Sequence, residues 1–305
     1  MQYRVVLLMV PYFDCLRDVA EMFSLALNEA GLPAQVQVMP PSAYTLRHGT
    51  QDILLGAHAA PEIWDRVPPR TLLSSLGGFA GTPPPIVYQT ENLCCTEQDV
   101  VPQWWRRQAL RAITWDYSAV NARLLGTHHV PLSYVRPFVR PLVQQPFPDI
   151  DVLFYGSCNE RRSSVLDQMH KLGLRTQIVF GAFGEGLDQL IARSKVILNV
   201  HFYDPGLFES VRVLPLVHRG VCVLGEQSRD NEGMDICLTV PYADLAKTAQ
   251  LLVDNDNYIV HRASDHVRLR RRQPLSEMLV QALRATADPV DPHPAPVRAL
   301  HAPSP

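Results

Sequence analysis

The sequence predicts an α/β protein made of two doubly wound halves, each a parallel sheet covered by helices. Apolar runs of strand length alternate with segments of helical spacing, and this alternation starts again at Asp151. A Pro-rich stretch at 136–149 separates the two series. The length of 305 residues suits two domains of about 150 residues each.

The first series opens with RVVLLMV, a continuous apolar run typical of a strand buried on both faces. A loop at 11–14 follows, then a helical segment that ends at Gly31, then the short strand AQVQVMP. DILLGA and PIVYQ repeat the strand pattern. Strand–helix–strand units build parallel sheets with right-handed crossovers. We therefore predict an N-terminal Rossmann-like domain over residues 1–149.

The second series repeats the same alternation and predicts a second Rossmann-like domain over residues 150–285. Its strands are DVLFYGS, TQIVFG, KVILNVHF and VCVLGE, and its helical segments are NERRSSVLDQMHKLG, LDQLIARS and LFESVRVLPLVHRG. Residues 286–305 are rich in proline and poor in apolar anchors. Such a segment buries too little surface to offset its chain entropy, which predicts a disordered tail.

The composition excludes several classes of protein. Lys and Arg number 28, Asp and Glu number 30, and the formal net charge is −2, so we expect no nucleic-acid partner. No apolar run approaches the roughly 18 residues that span a bilayer. The N-terminus shows no signal-peptide cleavage site, and the scattered cysteines form no CxxC pair. His128 and His129 lie in a predicted loop without ligand partners at metal spacing. We therefore predict a cytoplasmic protein with no metal site.

Open α/β sheets bind ligands beyond the carboxyl ends of their strands. In this sequence that rule selects six loops, and we expect the ligand in the cleft between the two halves. The loops are 11–14, 89–93, 156–162, 181–186, 199–209 and 226–233. No GxGxxG or GxxxxGK[ST] motif follows either first strand, which argues against NAD enzymes and P-loop NTPases.

Two segments of the second half carry candidate binding residues. Gly156 and Ser157 lead into a helix, where backbone N–H groups together with Arg161 and Arg162 could hold a phosphate; the alternative is a tight turn plus two solvated arginines. In NVHFYDPGLFESVRVLPLVHRGVCVLGE, Asn199 and His201 end a strand, and Glu209 and Arg212 follow in the first turns of a helix. Glu209 could accept ribose hydroxyls. It could equally form a pair with Arg212 that only stabilises the helix start.

The order of strand, turn, helix with an early Glu, and LPLxxxGxxVLxE resembles the donor half of GT-B glycosyltransferases. It is most similar to the bacterial group that includes the spore-maturation-type proteins and the group 1 transferases. Further similar segments are PIVYQTENL, ITWDYSAVNARLL and DVLFYGSCNERR, so the resemblance covers roughly residues 80 to 240. It implies two Rossmann-like domains that face each other across a cleft. The donor binds the second domain, and the acceptor enters from the first.

The resemblance assigns roles residue by residue. In the retaining group 1 transferases two glutamates are separated by seven residues, and the second binds the donor ribose. Glu209 matches that second glutamate, whereas His201 occupies the place of the first, so the first glutamate's catalytic role does not carry over. Gly156, Ser157, Arg161 and Arg212 would hold the diphosphate without a metal. Asn199 and His201 are ambiguous between ligand contact and structure.

The stereochemical outcome decides whether a protein base is needed. An inverting transferase needs a general base on the acceptor side, and Asp14 and Glu91 are the carboxylates at strand ends there. Loop capping is the alternative role for both. A retaining enzyme can use the departing phosphate instead. His201, Glu91 and Asp14 are therefore the candidates beside the reacting centre.

The predicted function is transfer of a sugar from a nucleotide sugar, with no other cofactor, to a glycan, lipid-linked or protein acceptor of the cell envelope. Alternatives are a non-catalytic nucleotide-binding scaffold and a nucleotide-sugar epimerase or a phosphorylase. The segment 104–115, WWRRQALRAITW, interleaves tryptophans with arginines. It could rest on a membrane surface, or it could be a helix packed on the first domain.

Overall fold

The computed structural model describes residues 1–75, 82–93, 103–138, 142–143, 145–204, 206–230, 233 and 235–287. Within these ranges the chain forms two parallel sheets with helices packed on them. This confirms the predicted doubly wound α/β fold. The predicted disordered tail lies almost wholly outside the described residues.

The first sheet has six strands in the order β2-β1-β3-β4-β5-β6. The strands are β1 (Gln2–Leu8), β2 (Ala34–Met39), β3 (Thr50–Leu55), β4 (Ile86–Gln89), β5 (Ile113–Asp116) and β6 (His128–His129). The helices are α1 (Arg17–Glu29), α2 (Arg70–Ser75), α3 (Gln103–Ala109) and α4 (Ala119–Leu125). The two histidines predicted in a loop form β6, because they pair in register with Trp115 and Asp116 of β5.

The second sheet has five strands in the order β11-β10-β9-β7-β8. The strands are β7 (Ile150–Tyr155), β8 (Thr176–Val179), β9 (Ser194–Asn199), β10 (Val223–Glu226) and β11 (Leu238–Val240). The helices are α5 (Glu160–Lys171), α6 (Gly184–Ala192), α7 (Ser210–His218), α8 (Leu245–Asp254), α9 (Asn257–Arg270) and α10 (Leu275–Ala287). Helix α7 begins at Ser210, so Glu209 is its N-cap residue and does not lie in its first turn as predicted.

The last helix returns to the first half of the chain. Helix α10 packs on α1, and the backbone N–H of Leu275 donates to the carbonyl of Tyr134 at 2.8 Å. The hydroxyl of Ser133 donates to the carbonyl of Gln273 at 2.5 Å. The domain division at 149/150 stays a prediction. The contacts of α10 nevertheless show that the end of the described chain is shared between both halves.

The segment 104–115 does not form the amphipathic membrane-surface helix that its composition suggested. It divides between α3 and the strand β5, which lies between β4 and the edge strand β6. Trp105 is 7% exposed and Trp115 is fully buried, so neither ring is available to lipid headgroups. Arg107 pairs with Asp65 of the same half. The alternative, packing on the first domain, is the one observed. No helix in the described part of the chain is long and apolar enough to cross a membrane.

A buried histidine joins the two halves. The side chain of His218, at the end of α7, accepts a hydrogen bond from the backbone N–H of Val135 through Nε2 at 2.9 Å. Its Nδ1 lies 2.8 Å from the carbonyl of Leu214, so the neutral tautomer with the proton on Nδ1 satisfies both contacts. Burial lowers the pKa of His218 to about 4.

This neutral histidine predicts acid sensitivity. Between about pH 6.5 and about pH 4, His218 binds a proton in the unfolded chain and none in the folded chain. The contribution of His218 to the free energy of unfolding is therefore complete above pH 6.5. It falls by up to about 3 kcal/mol as the pH drops through this window. Asp265 acts with the opposite sign, since burial raises its pKa to about 6.

The test is the difference in unfolding free energy between the wild type and His218→Gln, because this difference removes the contribution of Asp265. Urea denaturation across the same pH range measures it. We expect the advantage of the wild type to shrink steadily with acid. A difference that stays constant with pH would contradict the neutral, buried histidine.

Candidate active site

A cavity of about 550 Å³ lies where the carboxyl ends of the two sheets face each other. The loop after β1, together with His58 and Glu91, lines it from the first half. The second half contributes the turn after β7, the loop at 180–184 and one face of α7. The predicted loops 11–14, 89–93, 156–162 and 181–186 each contribute at least one residue to this wall, because parallel strands all end at the same edge.

Gly156 and Arg212 form one wall of the cavity together. Gly156 has φ 124°, a conformation that favours glycine, and a Cβ there would lie 3.6 Å from Nη1 of Arg212. The guanidinium of Arg212 donates to the carbonyl of Tyr155 and lies 4.4 Å from the centroid of its ring. These contacts hold a positive charge against the turn that leads to Ser157 and α5.

Behind this wall, Glu209 connects two arginines. Its Oε1 accepts a hydrogen bond from Nη2 of Arg162 at 3.2 Å, and its Oε2 lies 3.8 Å from Nη1 of Arg212. Arg162 is itself fixed by hydrogen bonds to the carbonyls of Val200 and Ser157, both 2.8 Å long. Two guanidinium groups against one carboxylate leave this cluster with a net positive charge.

The arginines keep Glu209 ionised. Burial by itself raises the pKa of this carboxyl, but His201, Arg212 and Arg162 together outweigh it and hold the pKa below its usual range. The side chain remains 26% exposed. Glu209 is therefore a charged acceptor with some access to solvent, as a carboxylate that binds hydroxyl groups must be.

Three buried polar side chains next to Glu209 lack hydrogen-bond partners among the described residues. They are the amide of Asn199, both ring nitrogens of His201 and the hydroxyl of Ser210, all at most 4% exposed. Nδ1 of His201 lies 3.8 Å from Oε1 of Glu209, which is an ion-pair distance and too long for a hydrogen bond. An unpaired buried polar group costs about 1–3 kcal/mol, so three such side chains near Glu209 need an explanation, and a bound ligand is one.

The structure gives Arg161 a different partner from the predicted one. Both of its terminal nitrogens bind the carboxylate of Glu226 at the end of β10, and its guanidinium lies 4.0 Å from the ring centroid of Tyr242. Its charge is thereby neutralised within the protein, and it does not line the cavity. Arg162, the next residue, donates to Glu209 instead.

The two predicted carboxylates of the first half both line the cavity. Asp14 forms an ion pair with Arg17. Glu91 is half exposed, and its Oε1 lies 3.2 Å from Nε2 of His58. Sequence reasoning missed His58, although it follows β3 at the same sheet edge and the carboxyl-end rule would have selected it. Asp14 and Glu91 are well separated in the chain, and the fold brings both to the first-half wall of the cavity.

Arg219 ties the halves together at the cavity rim. Its Nη2 contacts Asp18 of α1 at 2.9 Å, and its Nη1 contacts Asp188 of α6 at 2.6 Å. The position of Arg219 after α7 offered no local signal for this role, since it depends on how α1 and α6 approach. No group of three or more metal-ligating side chains is found among the described residues.

Gly206 packs so closely on His201 that a larger residue at this position should measurably lower the stability of the fold. A Cβ at 206 would lie 2.7 Å from Cδ2 of the imidazole and closer still to Cγ. Gly206→Ala should therefore displace the ring and lower the free energy of unfolding by about 1–3 kcal/mol. Gly186→Ala is the matched control, because its new methyl group meets nothing within 4 Å. Equal stability of the two variants in urea would contradict the packing described.

No protein-family model matches the chain. Its curated relatives include proteins of Acanthamoeba polyphaga mimivirus. Uncharacterized protein L140 is 27% identical over 202 residues, which span 61% of this chain and 66% of that protein. Uncharacterized protein L138 is 31% identical over 113 residues, which span 35% of this chain and 13% of that protein. The chain thus matches less than two thirds of either relative.

Solved structures with a similar fold include glycosyltransferases. An alpha-glucosyltransferase in complex with UDP and a 13-mer DNA has a TM-score of 0.59 at 8% identity, covering 94% of this chain and 100% of that one. WaaG, a glycosyltransferase of lipopolysaccharide biosynthesis, has a TM-score of 0.55 at 8% identity, covering 92% and 98%. A Rickettsia africae glycosyltransferase has a TM-score of 0.51 at 8% identity, covering 93% and 97%. The chain has the GT-B fold.

The GT-B architecture predicted from the four sequence segments is confirmed by these likenesses, which at such low identity show the fold alone. The expectation of a bacterial origin finds no support, since the curated relatives come from a mimivirus. The spore-maturation-type group is likewise not confirmed.

Proposed function

We propose that the chain is a glycosyltransferase that takes a sugar from a nucleotide-sugar donor bound by its second half. The observation that carries this proposal is the net positive cluster of Arg162, Glu209 and Arg212 at the Gly156 turn, of which Arg212 lines the interdomain cavity of a GT-B fold and the other two lie behind it. A diphosphate needs positive charge and a ribose needs a hydroxyl acceptor. This cluster offers both within one group of touching side chains.

Different residues bind the ribose and the diphosphate of the donor in this proposal. Glu209 accepts the ribose hydroxyls, and Arg162 holds Glu209 in place. Arg212 and the backbone N–H of Ser157 bind the diphosphate, close to the N-terminus of α5. The N–H of Gly156 already donates to the carbonyl of Val179 at 2.9 Å, so Gly156 contributes only the shape of the turn. That helix start is ordered by Asn159, whose Oδ1 accepts from the backbone N–H of Arg162 at 3.0 Å.

The chemistry follows from this placement. The bond between the anomeric carbon and the phosphate oxygen breaks, and the departing diphosphate keeps the electron pair. A bond forms from the acceptor oxygen to the anomeric carbon. The acceptor proton passes to a carboxylate of the first half, Glu91 or Asp14, in an inverting reaction, or to the departing phosphate in a retaining one. Arg212 stabilises the charge that grows on the diphosphate.

The unpaired polar groups of Asn199 and His201 support the same site. Hydrogen bonds to a bound donor would satisfy them, with His201 closest to Glu209. Arg161, already paired with Glu226, is left out of the diphosphate site and serves to fix the end of β10.

Thermal unfolding of the full chain with UDP, GDP, CDP and dTDP tests the proposal. A nucleotide at about 100 times its dissociation constant adds about 2.7 kcal/mol of stability. We expect one of the four to stabilise the wild type. Glu209→Gln should bind that nucleotide about 10- to 100-fold more weakly, because it loses charge-assisted hydrogen bonds to the ribose. Inorganic pyrophosphate, which has no ribose, should bind this variant at least as well as the wild type.

Glu277→Gln is the matched control, since Glu277 also lies at a helix start but is exposed on α10. It should behave as the wild type. Stabilisation by none of the nucleotides would defeat the proposal and favour a scaffold protein. Conversion of the donor sugar without any acceptor would instead indicate an epimerase.

A further inference from the structure

Two aromatic rings meet across the mouth of the cavity, one from each half of the chain. Tyr12 follows β1, and Phe180 follows β8. Their centroids are 5.6 Å apart in an edge-to-face arrangement. Each side chain is 60% exposed, although rings of this size are usually buried. Both line the cavity, so each half of the chain presents an exposed aromatic ring to it.

The backbone of Tyr12 is held in an unfavourable conformation to place this ring. Tyr12 has φ 61° and ψ 21°, the left-handed region that is uncommon for residues other than glycine and asparagine. Such a conformation costs about 1–2 kcal/mol. Left-handed residues of this kind are concentrated at binding and catalytic sites. The exposed ring and its strained backbone are therefore two separate signs of ligand contact.

The charge around Tyr12 restricts the class of ligand. On the first-half wall of the cavity the described carboxylates are Asp14, Asp18 and Glu91, and Arg17 and His58 are the described basic residues. Arg17 is already paired with Asp14. Asp18 is likewise paired with Arg219, so no described arginine of this wall is free to bind phosphate or another anion, while the carboxylates still have oxygens that can accept hydroxyl groups.

We infer that the acceptor is a neutral saccharide, one of whose rings packs its C–H face on Tyr12 while its hydroxyls bond to Asp14 and Glu91. An aromatic plane beside carboxylates matches a pyranose, which has apolar C–H groups on its faces and hydroxyls around its rim. Phe180 completes the contact from the donor half. This inference rests on the proposed function, since it names the acceptor class of the same site.

The test uses isothermal titration of the full chain, saturated with its stabilising nucleotide, with maltotetraose, cellotetraose and chitotetraose. We expect at least one to bind the wild type and Tyr12→Phe equally. Tyr12→Asn should bind it at least about tenfold more weakly, because the ring is gone. Asparagine suits the left-handed backbone, so this variant should be as stable as the wild type or more stable. Phe147→Ala, which removes another exposed ring (89% exposed), is the control and should bind normally.

Undiminished binding by Tyr12→Asn would overturn the inference. Two other results would also overturn it. In one, the chain binds phosphatidylcholine vesicles that carry a polyprenyl phosphate but none of the three saccharides; in the other, it binds none of these probes. In each of these cases nucleotide binding by the same sample separates the two proposals. If it persists, glycosyl transfer stands and only the acceptor class is wrong.

Discussion

Replacing Arg212 by methionine is expected to slow release of the nucleoside diphosphate from the donor by about 100- to 1000-fold. The guanidinium lies against the Gly156 turn, where the leaving diphosphate is proposed to bind, and no other arginine of the cluster lines the cavity at that turn. Methionine keeps the packing on the rings of Phe154 and Tyr155 but removes the charge and the hydrogen bond to the Tyr155 carbonyl.

The measurement is the rate of nucleoside diphosphate release from the nucleotide sugar that stabilises the wild type. Arg193→Met is the matched control, because Arg193 forms a surface pair with Asp149 away from the cavity. It should retain full activity. The stability of Arg212→Met should fall by about 1–3 kcal/mol, because the variant loses hydrogen bonds to the carbonyls of Tyr155 and Leu198 and the ion pair with Glu209. A rate within threefold of the wild type would remove Arg212 from the proposed mechanism.

Replacing Arg4 by methionine is expected to give the largest loss of stability, about 3–5 kcal/mol. Arg4 and Asp52 pair across β1 and β3 and are 2% and 1% exposed. Nε of Arg4 lies 2.8 Å from Oδ1 of Asp52, and the hydroxyl of Tyr44 donates to Oδ2 at 2.9 Å. Loss of the guanidinium leaves a buried carboxylate without its cation. Such a loss is a large part of the 5–15 kcal/mol that stabilises a typical domain.

Urea denaturation of Arg4→Met, Asp52→Asn and the double variant measures the coupling. The double variant should be less destabilised than the sum of the two single variants, because it contains no unpaired buried charge. Arg47→Met, at an exposed site of the same half, should change little. Simple additivity of the two substitutions would show that the pair is not coupled as the geometry indicates.

Much of the fold was predictable because its signals are local. Val5 to Leu8 are fully buried, and their uninterrupted apolar run is the mark of a strand covered on both faces. The carboxyl-end rule then located the cavity loops, including the Gly156 turn and the loop that holds Asp14. Glu209 also lies where a helix-start carboxylate was expected, within one residue.

The sequence did not show which of Arg161 and Arg162 would contact Glu209. Successive helical residues point about 100° apart, so only one of the two can face Glu209. A signal existed, since Arg162 shares a helical face with the buried Val165, Leu166 and Met169. Because buried arginines are rare, the sequence pattern favoured exposure to solvent for both side chains.

What the sequence determined by itself is thus the identity and order of the elements, because apolar period and turn residues act over a few neighbours. Only the tertiary structure decided which distant side chains meet. Arg161 pairs with Glu226, which is 65 residues away in the sequence, and Arg219 pairs with Asp18, which is 201 residues away. Tyr12 contacts Phe180 of the other half. These pairings depend on how the two sheets and α10 pack against each other, a global property that no short stretch of sequence records.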